Sequence, residues 1–305
     1  MTRVAAVDCG TNSIRLLVAD VEGGRLVERT RQMQIVRLGE GVDRTGSLAA
    51  EALERTFVAL RDYARIIGEM GVDRVRMCAT SATRDAANRD AFVDGCTAIL
   101  GVAPEVISGA EEAAASFRGA TAELPRVAHP APYLVVDIGG GSTELVLGGA
   151  SVEQSVSLDI GCVRLTERHL RTDPPTPAEV AAAEGDVDEL LLSAEATVDV
   201  RHARTMVGLA GSVTTVAALS LGLTAYDPTR IHLSRTSYDD VDRITTVLLT
   251  STRAERLDLP VMHPGRADVI GGGALVLRAI MRRWSIDEVV ASERDILDGI
   301  ALGLA

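Results

Sequence analysis

Two short stretches decide how this sequence folds: DCGTNS at residues 8–13 and DIGGGS at residues 137–142. Each ends an apolar run with Asp, continues through a Gly-containing turn and leads from Ser into a second apolar run. That pattern is typical of a strand, a tight turn and a second strand. Asp, Gly and Ser recur in register at a spacing of 137 − 8 = 129 residues. We therefore predict an internal repeat in which each half of the chain opens with a β-hairpin.

Hydrophobic periodicity predicts the elements that follow each hairpin. In the first half, the predicted strands are 25–38, 74–79 and 103–107, and the predicted helices are 48–70, 85–100 and 110–124. In the second half, a third strand ends at residue 158, and the later elements are helices 162–170 and 178–198, strands 205–209 and 288–292, and a last helix from residue 294. The stretch 125–132 contains three prolines and is typical of a linker. We expect an α/β fold with a first domain over residues 1–124 and a second over 125–293.

The composition narrows the classes of function. Among 305 residues, 43 are acidic and 31 are basic, which gives a net charge of −12 at pH 7. This balance argues against a general DNA-coating or membrane-surface protein. All 31 basic residues are arginine. P-loop, Schiff-base and protein-kinase chemistries each need a lysine, so they are excluded.

The cysteines and histidines form no metal-binding pattern. The four cysteines, at positions 9, 78, 96 and 162, include no CxxC pair, and we predict that they are reduced core thiols. The five histidines lack the i, i+4 and HExxH spacings of a zinc site. The sequence shows neither a signal-peptide pattern nor an apolar run long enough to span a bilayer. We expect a cytoplasmic protein with neither nucleic acid nor a membrane as its partner.

The two hairpin turns are candidate phosphate cradles. Backbone amides in such turns reach an anion only where no Cβ blocks the approach, which explains the Gly and Ser content. Asp8 and Asp137 would then hold Mg²⁺ or its waters beside the phosphate, because a hard cation prefers carboxylate and water oxygens. One such turn alone is more often plain turn chemistry, but the repetition in register favours the phosphate interpretation. A Rossmann fingerprint fits less well, because the turn leads into a strand rather than a helix.

Two further connections end strands of the first half. Arg84 follows the strand 74–79 and is placed to bind two phosphate oxygens, with a capping role or an ion pair to Asp85 as the alternative. Glu111 and Glu112 open the helix after the strand 103–107. Acidic residues at a helix start usually interact with the helix dipole. At this end of the sheet, however, one of the two glutamates is a candidate general base.

Two glycine-rich segments of the second half are also candidates for close approach. The stretch GLAGSVTT at 208–215 joins a strand to a helix and is suited to phosphate contact through backbone amides and hydroxyls. The alternative is close helix packing with Ser212 as the N-cap. Three glycines at 271–273 interrupt a helical stretch, where they predict a close backbone approach by a ligand or a neighbouring element.

Five motifs, in order along nearly the whole chain, resemble those of the exopolyphosphatase / guanosine pentaphosphate phosphatase (Ppx/GppA) family. They are DCGTNS at 8–13, ATSATRDA at 79–86, ISGAEEA at 107–113, DIGGGSTE at 137–144 and AGS at 210–212. The resemblance implies the acetate and sugar kinase/chaperone/actin superfamily, with two actin-like (ribonuclease H-like) α/β domains and the active site in the cleft between them. It also implies that the last helix, about residues 294–305, packs back on the first domain, and that the protein is a homodimer.

The resemblance implies Mg²⁺-dependent hydrolysis of a terminal phosphoanhydride, with release of orthophosphate from inorganic polyphosphate or guanosine pentaphosphate. By motif position, Glu112 activates the attacking water and Arg84 binds the reacting phosphoryl group. Glu144, together with Asp8 and Asp137, is the metal ligand or second acidic group. The phosphate-binding positions are Asn12, Ser13, Gly140, Gly141, Ser142, Gly211 and Ser212.

The leading hypothesis is an exopolyphosphatase that prefers short chains, because this chain ends without the C-terminal helical region of longer family members. The first alternative is a guanosine pentaphosphate 5′-phosphatase. A second is a sensor that binds either compound without turnover, although a binder has no need of a water-activating carboxylate. A third is an ATPase or kinase of the same superfamily.

Overall fold

The chain folds as two units, each built around its own hairpin. The computed structural model describes residues 2–124 and 128–304, so residues 125–127 of the predicted linker lie outside the described residues. Unit 1 comprises Met1–Thr121 and Asp295–Ala305, and unit 2 comprises Ala122–Arg294. Within the described ranges, no helix is long and apolar enough to cross a membrane.

Unit 1 is built on a five-stranded sheet. Its strands are β1 (Thr2–Cys9), β2 (Ser13–Glu22), β3 (Arg25–Ile35), β4 (Arg74–Ala79) and β5 (Glu105–Val106). Its helices are α1 (Val42–Thr45), α2 (Ala50–Glu69), α3 (Ser81–Asp85), α4 (Arg89–Leu100), α5 (Gly109–Thr121) and the C-terminal helix Ile296–Leu302. The strand order is β3-β2-β1-β4-β5, in which β1 to β3 are antiparallel and β4 and β5 run parallel to β1.

Unit 2 is built on a six-stranded sheet. Its strands are β6 (Tyr133–Ile138), β7 (Thr143–Gly148), β8 (Val152–Leu158), β9 (Thr205–Leu209), β10 (Arg235–Ser237) and β11 (Glu288–Ala291). Its α-helices are α6 (Cys162–His169), α7 (Pro177–Ala194), α8 (Ala210–Ser220), α9 (Pro228–Ile231), α10 (Tyr238–Thr250), α11 (Arg253–Leu257) and α12 (Ile270–Arg283), which makes the C-terminal helix of unit 1 α13. The strand order is β10-β11-β9-β6-β7-β8.

The sheet topology repeats between the units. In unit 1, an antiparallel meander of β3, β2 and β1 continues into the parallel strand β4. In unit 2, an antiparallel meander of β8, β7 and β6 continues into the parallel strand β9. The repeat predicted from the two hairpins is therefore present in the strand pairing itself.

Alternate residues of β1 enter two separate cores. Val7 packs in a core with Tyr63 of α2 and Phe92 of α4, whereas its neighbour Ala6 packs in a core with Ile300 of α13. This alternation follows from the two-residue period of a strand. The sheet is covered on both faces, and the middle of β1, residues 4–7, is accordingly a continuous apolar run.

Helix α13 crosses α5 at two glycines. A Cβ on Gly119 of α5 would clash with the carbonyl oxygen of Asp295, and a Cβ on Gly299 of α13 would clash with the carbonyl oxygen of Ala115. Neither obstacle is the end of a flexible side chain, so neither can move away cheaply. The two helices therefore pack backbone to backbone, which holds α13 on unit 1.

The four cysteines are buried and free, as the spacing predicts. Burial raises the pKa of Cys78 and Cys96 to about 12. At neutral pH these groups are thiols rather than thiolates, and they behave as small apolar side chains.

The predicted helix 85–100 is wrong at its start. Helix α3 ends at Asp85 and α4 begins at Arg89. Between them, the Asn88 side chain accepts from the amide of Leu48 at 2.8 Å and donates to the carbonyl of Leu48 at 3.0 Å. This long-range pair of hydrogen bonds holds residue 88 outside the helix. The predicted strand 25–38 also ends early, at Ile35, because the following amides bond to the first hairpin turn.

Candidate active site

The two hairpin turns are closed by the same hydrogen bond. In unit 1 the amide of Gly10 donates to the carbonyl of Ser13 at 3.0 Å, and in unit 2 the amide of Gly139 donates to the carbonyl of Ser142 at 3.0 Å. A Cβ on Gly139 would lie 3.1 Å from that Ser142 oxygen. The tightness of the turn therefore favours glycine at this position.

The carbonyls of both turns are occupied by the chain that follows the third strand. In unit 1, the amides of residues 36 and 37 donate to Asn12 at 3.1 and 2.9 Å, and in unit 2 the amides of residues 163 and 164 donate to Gly140 at 2.9 and 3.1 Å. Within the described part of the chain, the amides of Asn12, Gly140 and Gly141 donate no hydrogen bond. In each turn the carbonyl groups already accept hydrogen bonds, whereas some of the backbone amides can still donate. Such a turn can bind an anion through these amides.

The connection from β4 to α3 lies against the turn of unit 1. The amide of Thr80 donates to the carbonyl of Cys9 at 3.2 Å. A Cβ on Gly39 would overlap Thr11 and come within 3.0 Å of the Ala82 methyl group. Helix α3, which carries Arg84, therefore begins beside the candidate phosphate turn.

Arg84 is paired with Glu112, the candidate general base. Its Nη1 donates to Oε2 of Glu112 at 3.2 Å and to the carbonyl of Ile107 at 3.0 Å. The glutamate lies in the first turn of α5 and is 8% exposed. The structure therefore joins two of the predicted catalytic residues.

Glu111, the adjacent glutamate, has a different partner. Its Oε2 accepts from the amide of Ser108 at 2.9 Å and from the Ser108 hydroxyl at 2.8 Å. These hydrogen bonds lower the pKa of Glu111 and form the start of α5. The two glutamates are thus distinguished by geometry, since Glu111 caps the helix while Glu112 faces the arginine.

The aspartate of the unit 1 hairpin is part of an ion network. Asp8 lies directly across the sheet from Arg15, whose Nη2 and Nε donate to its Oδ2 at 2.7 and 3.1 Å. Arg15 also donates through Nη1 to Asp295, at the start of α13. Burial raises the pKa of Asp8 above its ordinary value despite the neighbouring guanidinium.

The equivalent aspartate of unit 2 has a carboxylate opposite it. Asp137 lies across the sheet from Glu144, which is 1% exposed and accepts a hydrogen bond from the Ser157 hydroxyl at 2.7 Å. Residues directly opposite on neighbouring strands project from the same face of the sheet. The hairpin therefore places two carboxylates side by side next to the turn 139–142.

The donor set of unit 2 fits a magnesium ion that also binds substrate. No cluster of three or more His, Cys, Asp or Glu side chains suited to a metal is found in residues 2–124 and 128–304. Mg²⁺, however, is usually bound by one or two carboxylates together with phosphate oxygens and waters. Asp137 and Glu144 supply the two carboxylates, and the adjacent turn is suited to the phosphate.

The third predicted phosphate turn joins β9 to α8. Ala210 has φ 65°, a left-handed conformation that is strained for a residue with a Cβ. Burial raises the pKa of the Cys162 thiol to about 11, and the neighbouring Ser212 side chain opposes this rise. Helix α8 has Leu209 as its N-cap, without a side-chain bond, so the alternative of Ser212 as the N-cap is wrong. A ligand at this turn would therefore be bound by backbone groups.

Arg266 lies on this turn and was not singled out by the sequence motifs. Its guanidinium is so close to Gly211 that a Cβ on the glycine would overlap it. The side chain is half-buried, and no ion pair of this guanidinium occurs among the described residues. The only sequence signal was its place in the segment HPGRAD at 263–268, just before the glycine-interrupted helix.

The glycines of α12 make room for neighbouring elements. A Cβ on Gly272 would lie 3.0 Å from the carbonyl oxygen of Cys162, and a Cβ on Gly273 would overlap the Ser212 hydroxyl. The close approach predicted at 271–273 is therefore made by α6 and α8 at Gly272 and Gly273, and by Leu249 of α10 at Gly271. It packs α6 and α8 around the turn that carries Gly211.

Other arginines of unit 2 are held by carboxylates. Arg278 pairs with Glu184 at 2.8 Å, Arg282 with Asp188 at 3.1 Å, and Arg283 with Glu195 at 2.9 Å. Ion pairs of this kind along the surface of a helix are typical of a solvent-facing side. Arg266 differs from them because it faces a glycine turn instead of an acidic helix.

The sequence matches the Ppx/GppA phosphatase family over residues 17–305. The chain belongs to this family. Exopolyphosphatase 2 of Mycobacterium tuberculosis is 54% identical over 318 aligned residues, which cover 100% of this chain and 99% of that protein. The crystal structure of an exopolyphosphatase-like protein has a TM-score of 0.97 and 47% identity, and it covers 100% of this chain and 98% of its own. An exopolyphosphatase from Cytophaga hutchinsonii has a TM-score of 0.91 and 26% identity, with 99% and 97% of the two chains covered.

Membership of the Ppx/GppA family confirms three expectations from the sequence. The family resemblance is correct, the fold is the actin-like two-domain α/β fold, and the protein is a phosphoanhydride hydrolase. Ppx/GppA phosphatases generally depend on a divalent metal. The roles of the individual side chains remain predictions.

Proposed function

We propose that this Ppx/GppA protein is an Mg²⁺-dependent exopolyphosphatase, which hydrolyses the terminal phosphoanhydride of inorganic polyphosphate and releases orthophosphate. The observation that carries this proposal is the pair of Glu112 and Arg84. A buried carboxylate lies 3.2 Å from a guanidinium on the helix that begins beside an amide-rich turn. The 54% identity to a mycobacterial exopolyphosphatase over the full chain supports the substrate class.

In this proposal Glu112 is the general base. Its carboxylate takes a proton from a water whose oxygen attacks the terminal phosphorus. Arg84 donates to the oxygens of the phosphoryl group, where negative charge is redistributed in the transition state. The bond from the terminal phosphorus to the bridging oxygen breaks, and the shortened polyphosphate leaves with the bonding electrons. As Arg84 turns to the phosphate, Oε2 of Glu112 becomes available to the water.

The backbone turns bind phosphate oxygens without adding side-chain charge. Turn 11–13 of unit 1 and turn 140–142 of unit 2 donate through amides, and Arg266 adds a cation at Gly211. Asp137 and Glu144 of unit 2 would hold Mg²⁺, and Asp8, beside the phosphate turn of unit 1, stays a predicted metal ligand. The bound ion supplies neutralisation of phosphate charge.

The test is orthophosphate release with Mg²⁺ from short polyphosphate, long polyphosphate and guanosine pentaphosphate. Glu112→Gln should reduce kcat by about 10²- to 10⁴-fold, the usual contribution of a general base, while the affinity for polyphosphate changes little. Glu111→Gln is the matched control, because it makes the same chemical change one residue away in a capping group. It should retain turnover within a few-fold of wild type.

The other outcomes each favour a different function. Faster turnover of guanosine pentaphosphate than of any polyphosphate would identify a guanosine pentaphosphate 5′-phosphatase. Tight binding of these compounds without release by wild type would indicate a sensor. Turnover by Glu112→Gln equal to that of Glu111→Gln would remove Glu112 from the mechanism.

A further inference from the structure

Three charged side chains of unit 1 form a chain that begins at the candidate phosphate turn. Asp8 ends β1 just before the turn, Arg15 lies opposite it on β2, and Asp295 comes from the far end of the sequence, 280 residues after Arg15. Arg15 binds both carboxylates through different nitrogens, with Nε and Nη2 on Asp8 and Nη1 on Asp295. The side chains of Asp8 and Asp295 are both buried.

Asp295 is held in place by hydrogen bonds with the backbone of α13 as well as by its ion pair with Arg15. Its Oδ1 accepts from the amide of Leu297 at 3.0 Å, and its amide donates to Oδ2 of Asp298 at 3.0 Å, which forms a capping box at the start of α13. Its carbonyl oxygen packs against Gly119 of α5. One oxygen of Asp295 therefore caps the helix while the other receives Arg15.

The position of Arg15 determines how Asp8 can act. Both bonds from Arg15 go to Oδ2 of Asp8, and Oδ1 accepts no hydrogen bond from the described residues. A guanidinium without a second carboxylate is free to bind both oxygens of Asp8 in the common bidentate geometry. Asp295 prevents this bidentate geometry, because it binds Nη1 of Arg15 and so turns that nitrogen away from Asp8.

The net charge of the three side chains also indicates that Asp295 keeps Asp8 available. Asp8 and Arg15 alone sum to zero, whereas Asp8, Arg15 and Asp295 together carry a net charge of −1. In a buried setting, a charge of this kind acts strongly on its neighbours because little water screens it. Without Asp295, the charge of Arg15 would neutralise that of Asp8. With Asp295, the group of three side chains at the hairpin is negatively charged.

We propose that Asp295 is a positioning residue for the phosphatase reaction, acting through Arg15 to keep one oxygen of Asp8 available at the phosphate turn. This inference rests on the proposed function, because it gives Asp8 a part in turnover. Asp295 itself does not contact the substrate. The C-terminal helix would then contribute to the reaction as well as to the stability of unit 1.

The experiment compares Asp295→Asn with Asp298→Asn. Asn is as good an N-cap as Asp, so Asp295→Asn retains the cap while it removes the charge that holds Arg15. Asp298→Asn is matched to it, because Asp298 lies in the same helix turn, is also buried and pairs with Arg31 at 2.8 Å. Asp295→Asn should lower kcat about tenfold, with KM within about twofold of wild type, as expected when an interaction is lost in the transition state. Asp298→Asn should keep kcat within about twofold, whatever its melting temperature.

A double-mutant cycle with Asp8→Asn separates positioning from general destabilisation. If Asp295 acts through Asp8, adding Asp295→Asn to Asp8→Asn should change kcat by less than about twofold, because coupled residues are not additive. Two independent effects that multiply would overturn the inference, and so would equal kcat values for Asp295→Asn and Asp298→Asn or an Asp8→Asn variant with wild-type turnover. Absence of orthophosphate release by wild type would instead overturn the proposed function.

Discussion

Arg15 in unit 1 and Glu144 in unit 2 occupy the same position of the repeated hairpin, and each lies directly across its sheet from an aspartate. Arg15 binds Asp8 at 2.7 Å. Glu144 instead places a second carboxylate beside Asp137. One difference in residue type thus gives the two hairpins opposite character, an ion pair in unit 1 and a pair of carboxylates in unit 2. We expect the unit 2 hairpin to be the stronger cation ligand.

Replacement of Glu144 should test that expectation. Glu144→Gln removes one of two carboxylates but retains an oxygen for the Ser157 hydroxyl. We expect kcat to fall by about 100-fold and the half-saturating Mg²⁺ concentration to rise by about tenfold, because the remaining carboxylate attracts the cation less. Activity measured over a Mg²⁺ titration gives both numbers. Glu153→Gln, an exposed change on the neighbouring strand β8, is the control, and an unchanged Mg²⁺ dependence in Glu144→Gln would contradict the assignment.

Arg84 should not be replaceable by lysine. Arg84→Lys keeps the charge but loses the planar fork that allows bonds to the Ile107 carbonyl and to phosphate oxygens at the same time. We expect kcat/KM for polyphosphate to fall by about 100-fold, in the range found for other positioned donors to a developing anion. Steady-state kinetics measure the effect, with Arg89→Lys on the exposed start of α4 as the control. A decrease of less than about threefold in Arg84→Lys would show that the fork is not used.

The contact between Arg266 and Gly211 predicts an effect on substrate binding. Gly211→Ala adds a methyl group where the guanidinium now lies, so the arginine must move, and Arg266→Gln removes the cation altogether. We expect both variants to raise KM for polyphosphate by about tenfold with a smaller change in kcat, the pattern of lost ground-state binding. Arg243→Gln, which breaks an exposed pair with Asp240 on α10, should leave KM unchanged. Wild-type KM in Arg266→Gln would exclude the arginine from phosphate binding.

The crossing of α5 and α13 should be intolerant of a single methyl group. Gly119→Ala drives a Cβ into the backbone of Asp295, and we expect a loss of about 3 kcal/mol or more in the free energy of unfolding, at the upper end of overpacking effects. Gly185→Ala is the control, because Gly185 is exposed in α7 and a Cβ there would meet no atom within 4 Å. That control should be neutral or more stable by about 0.5–1 kcal/mol, since alanine is the better helix former. Denaturant unfolding of both variants gives the comparison, and equal stabilities would argue against the close crossing.

Asp20 should make part of the stability depend on acid pH. It is fully buried and receives Arg3 at 2.8 Å and Arg29 at 2.6 Å. These bonds, led by that from Arg3, lower the pKa of Asp20 from 3.8 to about 2. Because the folded pKa lies below the unfolded one, the stabilisation is complete above about pH 4 and is lost as the pH falls towards about 2.

Melting temperatures across that pH interval test the sign. Asp20→Asn should melt below wild type at neutral pH, and the difference should shrink as the pH falls, because protonated Asp20 no longer attracts the two arginines. Asp62→Asn, on the exposed face of α2, is the control for a change in net charge. A difference that stays constant down to about pH 2 would contradict the lowered pKa.

Features that depend on neighbouring residues were predictable from the sequence. The two hairpins, their turns and most helices follow from hydrophobic period and from glycine, because these act over a few residues. Errors came where a distant residue intervened, as at residue 88, whose side chain bonds to Leu48 and interrupts a helix that periodicity alone would continue. The repeat in register was enough to indicate two phosphate turns.

The sequence by itself determined the fold class, the family and the short list of acidic and arginine residues that could act. Only the tertiary structure decided their partners: that Glu112 faces Arg84 while Glu111 caps a helix, that Arg266 lies on Gly211, and that Asp295 holds Arg15 across 280 residues. Ion pairs and backbone contacts of this range depend on how strands and helices pack, which local periodicity does not encode. For this reason the sequence predicted the chemistry of the site, whereas its geometry had to come from the fold.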